Sequence, residues 1–72
     1  MTNIIKLAVV GAGLVGQRHI NAISKQKDVK LVAIVEPNPT EDINSLAVPC
    51  FSNLKEMFAA ISPDGVILST PT

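Results

Sequence analysis

The stretch KLAVVGAGLVGQRH, Lys6–His19, decides the fold that we expect for this chain. It opens in an apolar run, Ile4–Val10, that only Lys6 interrupts. The length and the β-branched residues of this run are typical of a strand buried on both faces of a parallel sheet. Three glycines follow within six positions. Because a glycine costs about 0.5–1 kcal/mol inside a helix or strand, their clustering indicates a turn that needs bare backbone.

The rest of the chain alternates between helical and strand-like patterns. The helix after the glycines, Leu14–Gln26, is expected to bury Val15, Ile20 and Ile23. The further predicted elements are a strand at Val29–Val35, a short helix from a Thr40 cap to Ala47, a strand at Val48–Phe51, a helix at Asn53–Ile61 with Leu54, Met57, Phe58 and Ile61 on its apolar face, and a strand at Val66–Leu68. Strands that alternate with helices predict an α/β fold with a parallel sheet and right-handed crossovers.

Composition and charge narrow the class of protein. Six Lys and Arg balance six Asp and Glu without a basic stripe, so neither nucleic acid nor an anionic membrane surface is indicated as a partner. No apolar stretch reaches the roughly 18 residues that span a bilayer, and the N-terminus lacks the features of a signal peptide. Cys50 is the only cysteine, so the sequence contains no pair for an intrachain disulfide and no set of zinc ligands, and Cys50 is expected to be a small buried core residue. We expect a single globular domain with a cytoplasmic location.

Gly11, Gly13 and Gly16 form the pattern G-x-G-x-x-G, which is a weak signal by itself. Here it follows a buried-type strand and opens a helix, and an acid, Glu36, ends the next strand 20 residues after Gly16. That is the context of a dinucleotide-binding βαβ unit. In such a unit the first glycine allows the tight turn, the second lets backbone approach a pyrophosphate, and the third lets the helix pack close to the strand.

The end of the second strand predicts which dinucleotide binds. The Glu36 carboxylate is placed to accept hydrogen bonds from the hydroxyls of the adenosine ribose. No Lys or Arg occurs between Glu36 and Lys55, and Glu41 and Asp42 add negative charge, so a 2′-phosphate would be repelled. NAD is therefore expected rather than NADP, and Arg18, a cation near the start of the helix, is the residue that argues against this preference.

Further residues lie near the predicted site. Leu14 and Val15, at the start of the helix, would direct backbone N–H groups at the phosphates. His19 has no partners at metal-ligand spacing and is expected to pack or hydrogen-bond behind the glycine turn. Ser69–Thr72 leave the fourth strand at its carboxyl end, where ligands bind in open α/β sheets. Their backbone and hydroxyl groups either line the cofactor or form an ordinary strand exit, and both interpretations stay open.

Together these segments resemble the opening of the Gfo/Idh/MocA oxidoreductases, the group of glucose–fructose oxidoreductase and inositol dehydrogenase. VVGAGLVGQRH is similar to their G-x-G-x-x-G-x-x-H segment, LVAIVEPNP to their second strand, and PDGVILSTPT to their fourth strand and its exit. The resemblance implies a partial Rossmann fold with strand order 3-2-1-4, and a nicotinamide-dependent oxidoreductase of sugars, cyclitols or similar polyols. It also implies that Glu36 contacts the ribose and that Thr70 and Pro71 lie along the cofactor.

The chain departs from this family in one large respect. Family members carry an α+β substrate domain and a catalytic lysine in a Glu-Lys-Pro motif, and the sequence contains no such motif. We therefore expect residues 1–72 to be the N-terminal part of a dinucleotide-binding domain from a larger enzyme, without catalytic residues of its own. The fourth strand would then be an exposed sheet edge, which predicts self-association. Two alternatives stay open: an NAD-sensing or inactive nucleotide-binding module, and a flavin or S-adenosylmethionine site.

Overall fold

A computed structural model of the chain describes residues 4–11 and 13–69, and among these the side chains of Leu14 and Val15 are not described. The elements in chain order are β1 (Ile5–Val10), α1 (Leu14–Ser24), β2 (Val29–Val35), α2 (Glu41–Asn44), β3 (Cys50–Phe51), α3 (Leu54–Ala60) and β4 (Gly65–Leu68). This is the predicted alternation, although α1 ends before Gln26 and β4 begins before Val66. No helix in these residues is long and apolar enough to cross a membrane.

The strands form one parallel sheet in the order β3-β2-β1-β4. This confirms the predicted order 3-2-1-4. The chain passes from β1 through α1 to β2 on one side, and then from β3 through α3 to β4 on the other side of β1. Because the strands are parallel, the carboxyl ends of β1, β2 and β4 meet at one edge of the sheet, where the glycine turn and Glu36 lie.

Two apolar clusters pack on opposite faces of this sheet. The first joins the sheet to α1 and α2 and consists of Val9, Ile20, Ile23, Ile34 and Ile43. The second joins the sheet to α3 and consists of Ala8, Val10, Ala33, Val35 and Met57. The helices therefore cover both faces, as predicted. Since β1 and β2 contribute side chains to both clusters, the continuous apolar runs in these strands have a structural reason.

The pairing of β1 with β2 contains one irregularity. Leu7 aligns with Leu31, but the next residue of β1 aligns with Ala33, so Val32 is an additional residue in β2. Such a bulge interrupts the alternation of side chains between the two faces of a sheet. Leu31 and Ile34 therefore contact the same cluster although they are three residues apart.

The helices α2 and α3 begin at the caps that the sequence predicts. The Thr40 hydroxyl accepts a hydrogen bond from the Ile43 N–H at 3.4 Å. The Asn53 side chain accepts one from the Glu56 N–H at 2.8 Å. Each cap satisfies one of the N–H groups that a helix leaves unpaired in its first turn, so both helices start where a side chain can replace the missing partner.

The segment between α2 and β3 differs from the prediction. Ala47 adopts a left-handed φ of 57°, and α2 ends at Asn44 rather than at Ala47. Pro49 has no N–H to donate to a neighbouring strand. As a result β3 contains only Cys50–Phe51 instead of Val48–Phe51.

Burial corrects two further expectations. Of the apolar face predicted for α3, Met57 is buried, whereas Leu54 and Phe58 are 37% and 52% exposed. Cys50 is half-buried rather than buried, because β3 is an edge strand with one neighbour. Among the described residues β3 ends the sheet on this side, so Cys50 is paired with a strand on one side only.

Candidate functional site

The turn after β1 is built on Gly11. Its φ of 90° lies in a region that residues with a Cβ rarely adopt. Its N–H donates to the Val35 carbonyl at 2.8 Å, and its own carbonyl accepts from the Ser69 hydroxyl at 2.7 Å. The chain thus leaves β1 tied to both neighbouring strands. This is the tight turn that the sequence predicts.

Gly16 lies in the first turn of α1 and packs against this turn. A Cβ at Gly16 would overlap the carbonyl oxygen of Gly11 and would lie 2.9 Å from the carbonyl carbon of Gly11 and from Ser69 Oγ. Because Cβ atoms do not approach other atoms this closely, only glycine lets α1 begin so near the end of β1. The predicted role of Gly16 in close packing of the helix is confirmed.

Gly13 differs from the other two glycines. It is the residue before α1, and its φ of −72° and ψ of −164° are open to any residue. A Cβ there would meet no described atom within 4 Å. The fold of the described residues therefore does not require glycine at position 13, and this part of the turn faces open space.

The N-terminus of α1 differs from those of α2 and α3 in its capping and in the charge of its first turn. Gly13 supplies no side-chain cap, and the first turn, which includes Leu14 and Val15, contains no acidic residue. By contrast, α2 has the Thr40 cap and two acids in its first turn, and α3 has the Asn53 cap and one acid. Because the N-terminus of a helix carries unpaired N–H groups and a partial positive charge, it attracts anions. The first turn of α1 suits a phosphate group of a ligand.

Glu36 lies directly after β2, at the same edge of the sheet as the glycine turn. Its N–H donates to the Phe51 carbonyl at 2.8 Å, which continues the pairing of β2 with β3 beyond the strand. Its side chain is half-buried, and Oε2 accepts a hydrogen bond from the Asn38 N–H at 3.1 Å. The carboxylate is therefore held close to its own backbone across Pro37.

Cys50, the first residue of β3, lies beside Glu36. Its Sγ is 3.9 Å from the Glu36 carbonyl oxygen, to which the thiol donates. Burial, together with the negative charge of Glu36, raises the pKa of the Cys50 thiol above its ordinary value of 9.0. The thiol is therefore neutral near pH 7 and is a poor nucleophile there.

Ser69 leaves β4 at this edge, but its hydroxyl is used within the chain. Its N–H donates to the Val10 carbonyl at 2.9 Å, and its Oγ lies 2.9 Å from that oxygen and 2.7 Å from the Gly11 oxygen. The sequence named Ser69 as a cofactor contact and missed this bond to the glycine turn. Thr70 and Pro71, named with it, lie outside the described residues.

The remaining candidates lie further along α1. Arg18 is exposed and His19 is half-buried. No group of three or more His, Cys, Asp or Glu within the described ranges could hold a metal ion. An open apolar hollow of about 290 Å³ lies between the end of α1 and the start of β2, where Ile23, Val29 and Leu46 line it. The glycine turn, the start of α1 and Glu36 are thus a separate site, at the opposite end of these elements.

A glycine turn that opens an uncapped helix, beside a parallel strand that ends in an acid, defines a dinucleotide-binding domain of the Rossmann type. Residues 5–72 match the Gfo/Idh/MocA family, described as an oxidoreductase family with an NAD-binding Rossmann fold. The chain belongs to this family, and the resemblance seen in its sequence is confirmed.

Individual relatives carry the same domain within longer chains. The 4-hydroxy-tetrahydrodipicolinate reductase of Listeria monocytogenes is 34% identical over 76 residues, which cover 93% of this chain and 29% of that protein. The WlbA dehydrogenase from Bordetella pertussis, in complex with NADH and UDP-GlcNAcA, has a TM-score of 0.86 and 30% identity, covering 96% of this chain and 22% of that chain. The scyllo-inositol dehydrogenase from Lactobacillus casei, with bound NAD(H) and scyllo-inositol, has a TM-score of 0.82 and 28% identity. That match covers 96% of this chain and 22% of the dehydrogenase chain. The chain therefore spans less than a third of the proteins it matches.

Proposed function

We propose that this chain is the NAD-binding part of an oxidoreductase that transfers hydride to or from a sugar, a cyclitol or a similar polyol. The family match supports the cofactor class, because its description is an NAD-binding Rossmann fold. The substrate class is supported by two structural neighbours, which bind a sugar nucleotide with NADH and scyllo-inositol with NAD(H).

The observation that carries the proposal is Gly13. The described residues leave room for a Cβ at this position, and its backbone angles are ordinary. A glycine that the fold does not need is explained when a ligand must approach the backbone closely. The uncapped start of α1 lies directly after it, with no acidic side chain in the first turn to repel an anion. A pyrophosphate seated against Gly13 would accept hydrogen bonds from the N–H groups of Leu14 and Val15.

The neighbouring strand supports NAD over NADP. The half-buried Glu36 carboxylate lies where the ribose of a dinucleotide would be bound, and carboxylate oxygens accept hydrogen bonds from its two hydroxyls. A 2′-phosphate would meet this negative charge and those of Glu41 and Asp42 in the first turn of α2. At about 4 Å, two unit charges repel by roughly 1 kcal/mol in water and about 4 kcal/mol at an effective dielectric constant of 20. NADP is therefore disfavoured by one to a few kcal/mol.

The chemistry divides between the cofactor and the protein. When it is bound, the nicotinamide supplies or accepts the hydride. The residues of this chain bind and orient: the first turn of α1 holds the pyrophosphate, Glu36 holds the ribose, and Gly11 and Gly16 set the shape of the turn. We assign to the described site residues the binding and orientation of the cofactor, and no role in proton transfer to the substrate.

A ligand panel on the full-length protein tests the proposal. NADH, NADPH, FAD and S-adenosylmethionine are compared by isothermal titration and by the ligand-induced rise in melting temperature. We expect NADH to bind most tightly, with NADPH at least about tenfold weaker, which corresponds to 1.4 kcal/mol. Preferential stabilisation by FAD or S-adenosylmethionine would overturn the cofactor assignment, and tighter binding of NADPH than of NADH would overturn the role of Glu36.

A second substrate class is favoured by one comparison. The 4-hydroxy-tetrahydrodipicolinate reductase of Listeria monocytogenes shares 34% of its residues over the matched segment, which is higher than the 28% shared with the scyllo-inositol dehydrogenase. Assays of the full-length protein with inositols, aldoses and 4-hydroxy-tetrahydrodipicolinate separate the two classes. If the protein reduces 4-hydroxy-tetrahydrodipicolinate with NADH and oxidises no polyol, our proposed substrate class is wrong and the protein is a reductase of that compound.

A further inference from the structure

The backbone of Gly11 is held on two sides, its N–H by β2 and its carbonyl by the residue that follows β4. On one side, the Gly11 N–H donates to the Val35 carbonyl of β2 at 2.8 Å. On the other, the Ser69 hydroxyl, directly after β4, lies 2.7 Å from the Gly11 oxygen. Ser69 is itself fixed, because its N–H donates to the Val10 carbonyl at 2.9 Å. The hydroxyl that meets Gly11 therefore comes from a rigid part of the sheet.

The same oxygen of Gly11 is the atom against which α1 packs. A Cβ at Gly16 would overlap it, and that Cβ would also lie 2.9 Å from Ser69 Oγ. Gly11, Gly16 and Ser69 thus form one three-way contact, called here the Ser69 clamp. It joins the end of β1, the first turn of α1 and the exit of β4. Its outermost members, Gly11 and Ser69, are 58 residues apart along the chain.

A glycine turn needs such an external restraint. Gly11 has a φ of 90° and no side chain to limit its conformation, so the turn by itself would sample several backbone states. A binding loop that must be ordered by its ligand loses affinity, whereas a loop ordered beforehand does not. The Ser69 hydroxyl is half-buried, so water competes with it only in part.

We infer that Ser69 is a positioning residue for the pyrophosphate: its hydroxyl sets the Gly11 carbonyl and through it the spacing between the glycine turn and the first turn of α1. This inference rests on the proposed function for its ligand. It differs from the expectation that Ser69 lines the cofactor, because the hydroxyl acts through Gly11 and touches no ligand. Its effect is expected to be larger on the part of the site that binds phosphate than on the ribose end at Glu36, because the hydroxyl contacts Gly11 and not Glu36.

The test uses Ser69→Ala, Ser69→Cys and Ser69→Thr in the full-length protein, with Ser24→Ala as the matched control. Ser24 also donates its hydroxyl to a backbone carbonyl, that of Asn21 at 2.7 Å, but on the exposed far end of α1. Affinity is measured by titration with NADH, ADP-ribose and adenosine. Alanine and cysteine are expected to weaken NADH and ADP-ribose by about five- to tenfold, the size of one net hydrogen bond. Threonine keeps the hydroxyl and is expected to stay within about twofold of the natural protein.

Three outcomes contradict the inference. The first is an unchanged affinity of Ser69→Ala for ADP-ribose. The second is a loss in Ser69→Thr as large as that in Ser69→Ala. The third is an equal loss for adenosine, which has no phosphate and would reveal a change spread over the whole site. If Ser69→Ala does not fold, Ser69→Cys is compared with Ser69→Thr instead. Cysteine fills a volume similar to that of serine but is a weaker hydrogen-bond donor, so the same loss of affinity is expected for it and not for threonine.

Hydrogen exchange tests the clamp without any ligand. In Ser69→Ala the Gly11 N–H is expected to exchange about tenfold faster, while the Ile34 N–H, which donates to the Pro49 carbonyl at 2.9 Å beside the core, keeps its rate. A parallel acceleration of both amides would mean a general loss of stability and would refute the clamp. If the natural protein binds neither NADH nor ADP-ribose, the proposed function fails, and the exchange rates still decide the role of Ser69 in the turn.

Discussion

Alanine at Gly13 and alanine at Gly16 are expected to have opposite consequences, although the two glycines are three residues apart. At Gly16 the added methyl group overlaps the Gly11 carbonyl, a backbone group that the Ser69 hydroxyl holds in place. At Gly13 the same methyl group enters open space. The first change is therefore a change in stability, and the second is a change in the surface offered to a ligand.

The magnitudes follow from these contacts. Overpacking costs about 1–3 kcal/mol, and the upper end applies at Gly16 because the obstructing atoms are backbone. Alanine stabilises a helix by about 1 kcal/mol relative to glycine, so Gly16→Ala should lower the free energy of unfolding by a net amount of about 2 kcal/mol. At Gly13, alanine makes the unfolded chain stiffer, which raises the free energy of unfolding by about 0.4–1 kcal/mol. Alanine is also a poorer helix cap than glycine, which lowers the free energy of unfolding by a similar amount. Gly13→Ala should therefore change the free energy of unfolding by less than about 0.5 kcal/mol.

The assay measures both quantities on the same samples. Denaturant unfolding without ligand gives the free energy of unfolding, and titration with NADH gives affinity. We expect Gly16→Ala to lose about 2 kcal/mol of stability, and Gly13→Ala to keep its stability but lose about tenfold or more in NADH affinity. Gly13→Ser is a further control, because serine is a preferred helix cap and should preserve or raise stability while still blocking the ligand.

Two results would refute this reasoning. If Gly13→Ala binds NADH like the natural protein, the open space beside Gly13 does not receive the pyrophosphate. If Gly16→Ala is as stable as the natural protein, the close approach of α1 to Gly11 is not a constraint on the fold, and the Ser69 clamp loses one of its three members.

The remaining predictions concern the edges of the sheet. Glu36→Gln should narrow the preference for NADH over NADPH by about tenfold, because it removes a charge from the ribose site. Glu41→Gln, an equal change in charge at an exposed position of α2, should alter this preference by less than about threefold. Equal effects of the two substitutions in affinity titrations would mean that a diffuse electrostatic field, and not Glu36 itself, sets the preference. Alkylation of Cys50 by iodoacetamide should reach half its maximal rate above pH 9.0, since the folded thiol has a raised pKa. Its contribution to stability should likewise be complete below pH 9.0 and decline as the pH rises above it, and a rate midpoint below 9.0 would contradict the burial of the thiol. Leu68, which is 69% exposed on the edge strand β4, should promote self-association of the 72-residue chain, and Leu68→Lys should reduce it in sedimentation velocity runs. A monomer at all concentrations for the natural sequence would exclude pairing through this edge.

The sequence predicts the part of the fold that depends on neighbouring residues. The β1 strand, the glycine turn and α1 could be predicted because a buried strand, bare backbone and a helical period follow each other within 20 residues. The caps at Thr40 and Asn53 could be predicted for the same reason, since a cap and its partner are three residues apart. The family resemblance extended this local pattern to the order of the strands.

Features that depend on distant residues were missed. The burial of α3 depends on which of its apolar residues meet the sheet: Met57 packs in the second cluster, whereas Phe58 remains half exposed despite its apolar character. The extent of β3 depends on Pro49, which already marks this strand as weak in the sequence, and on the left-handed φ of Ala47, which no local pattern indicates. The bond from Ser69 to Gly11 joins positions 58 residues apart, and no local spacing records it.

The additional residue in β2 determines on which side of the sheet the acid leaves the strand. Before the bulge, Val29 and Leu31 contact the cluster beneath α1, and after it Ile34 does so. Alternation from Ile34 puts position 36 on that same side, where α1 begins. If Val32 were paired with β1 in regular alternation instead of bulged, position 36 would fall on the side of α3. Deleting Val32 should therefore remove the bulge and leave the acid beside the glycine turn, whereas inserting one residue between Ile34 and Glu36 should carry it to the side of α3. The bulge therefore determines which face of the sheet the acid occupies, in addition to the 20 residues that separate Glu36 from Gly16.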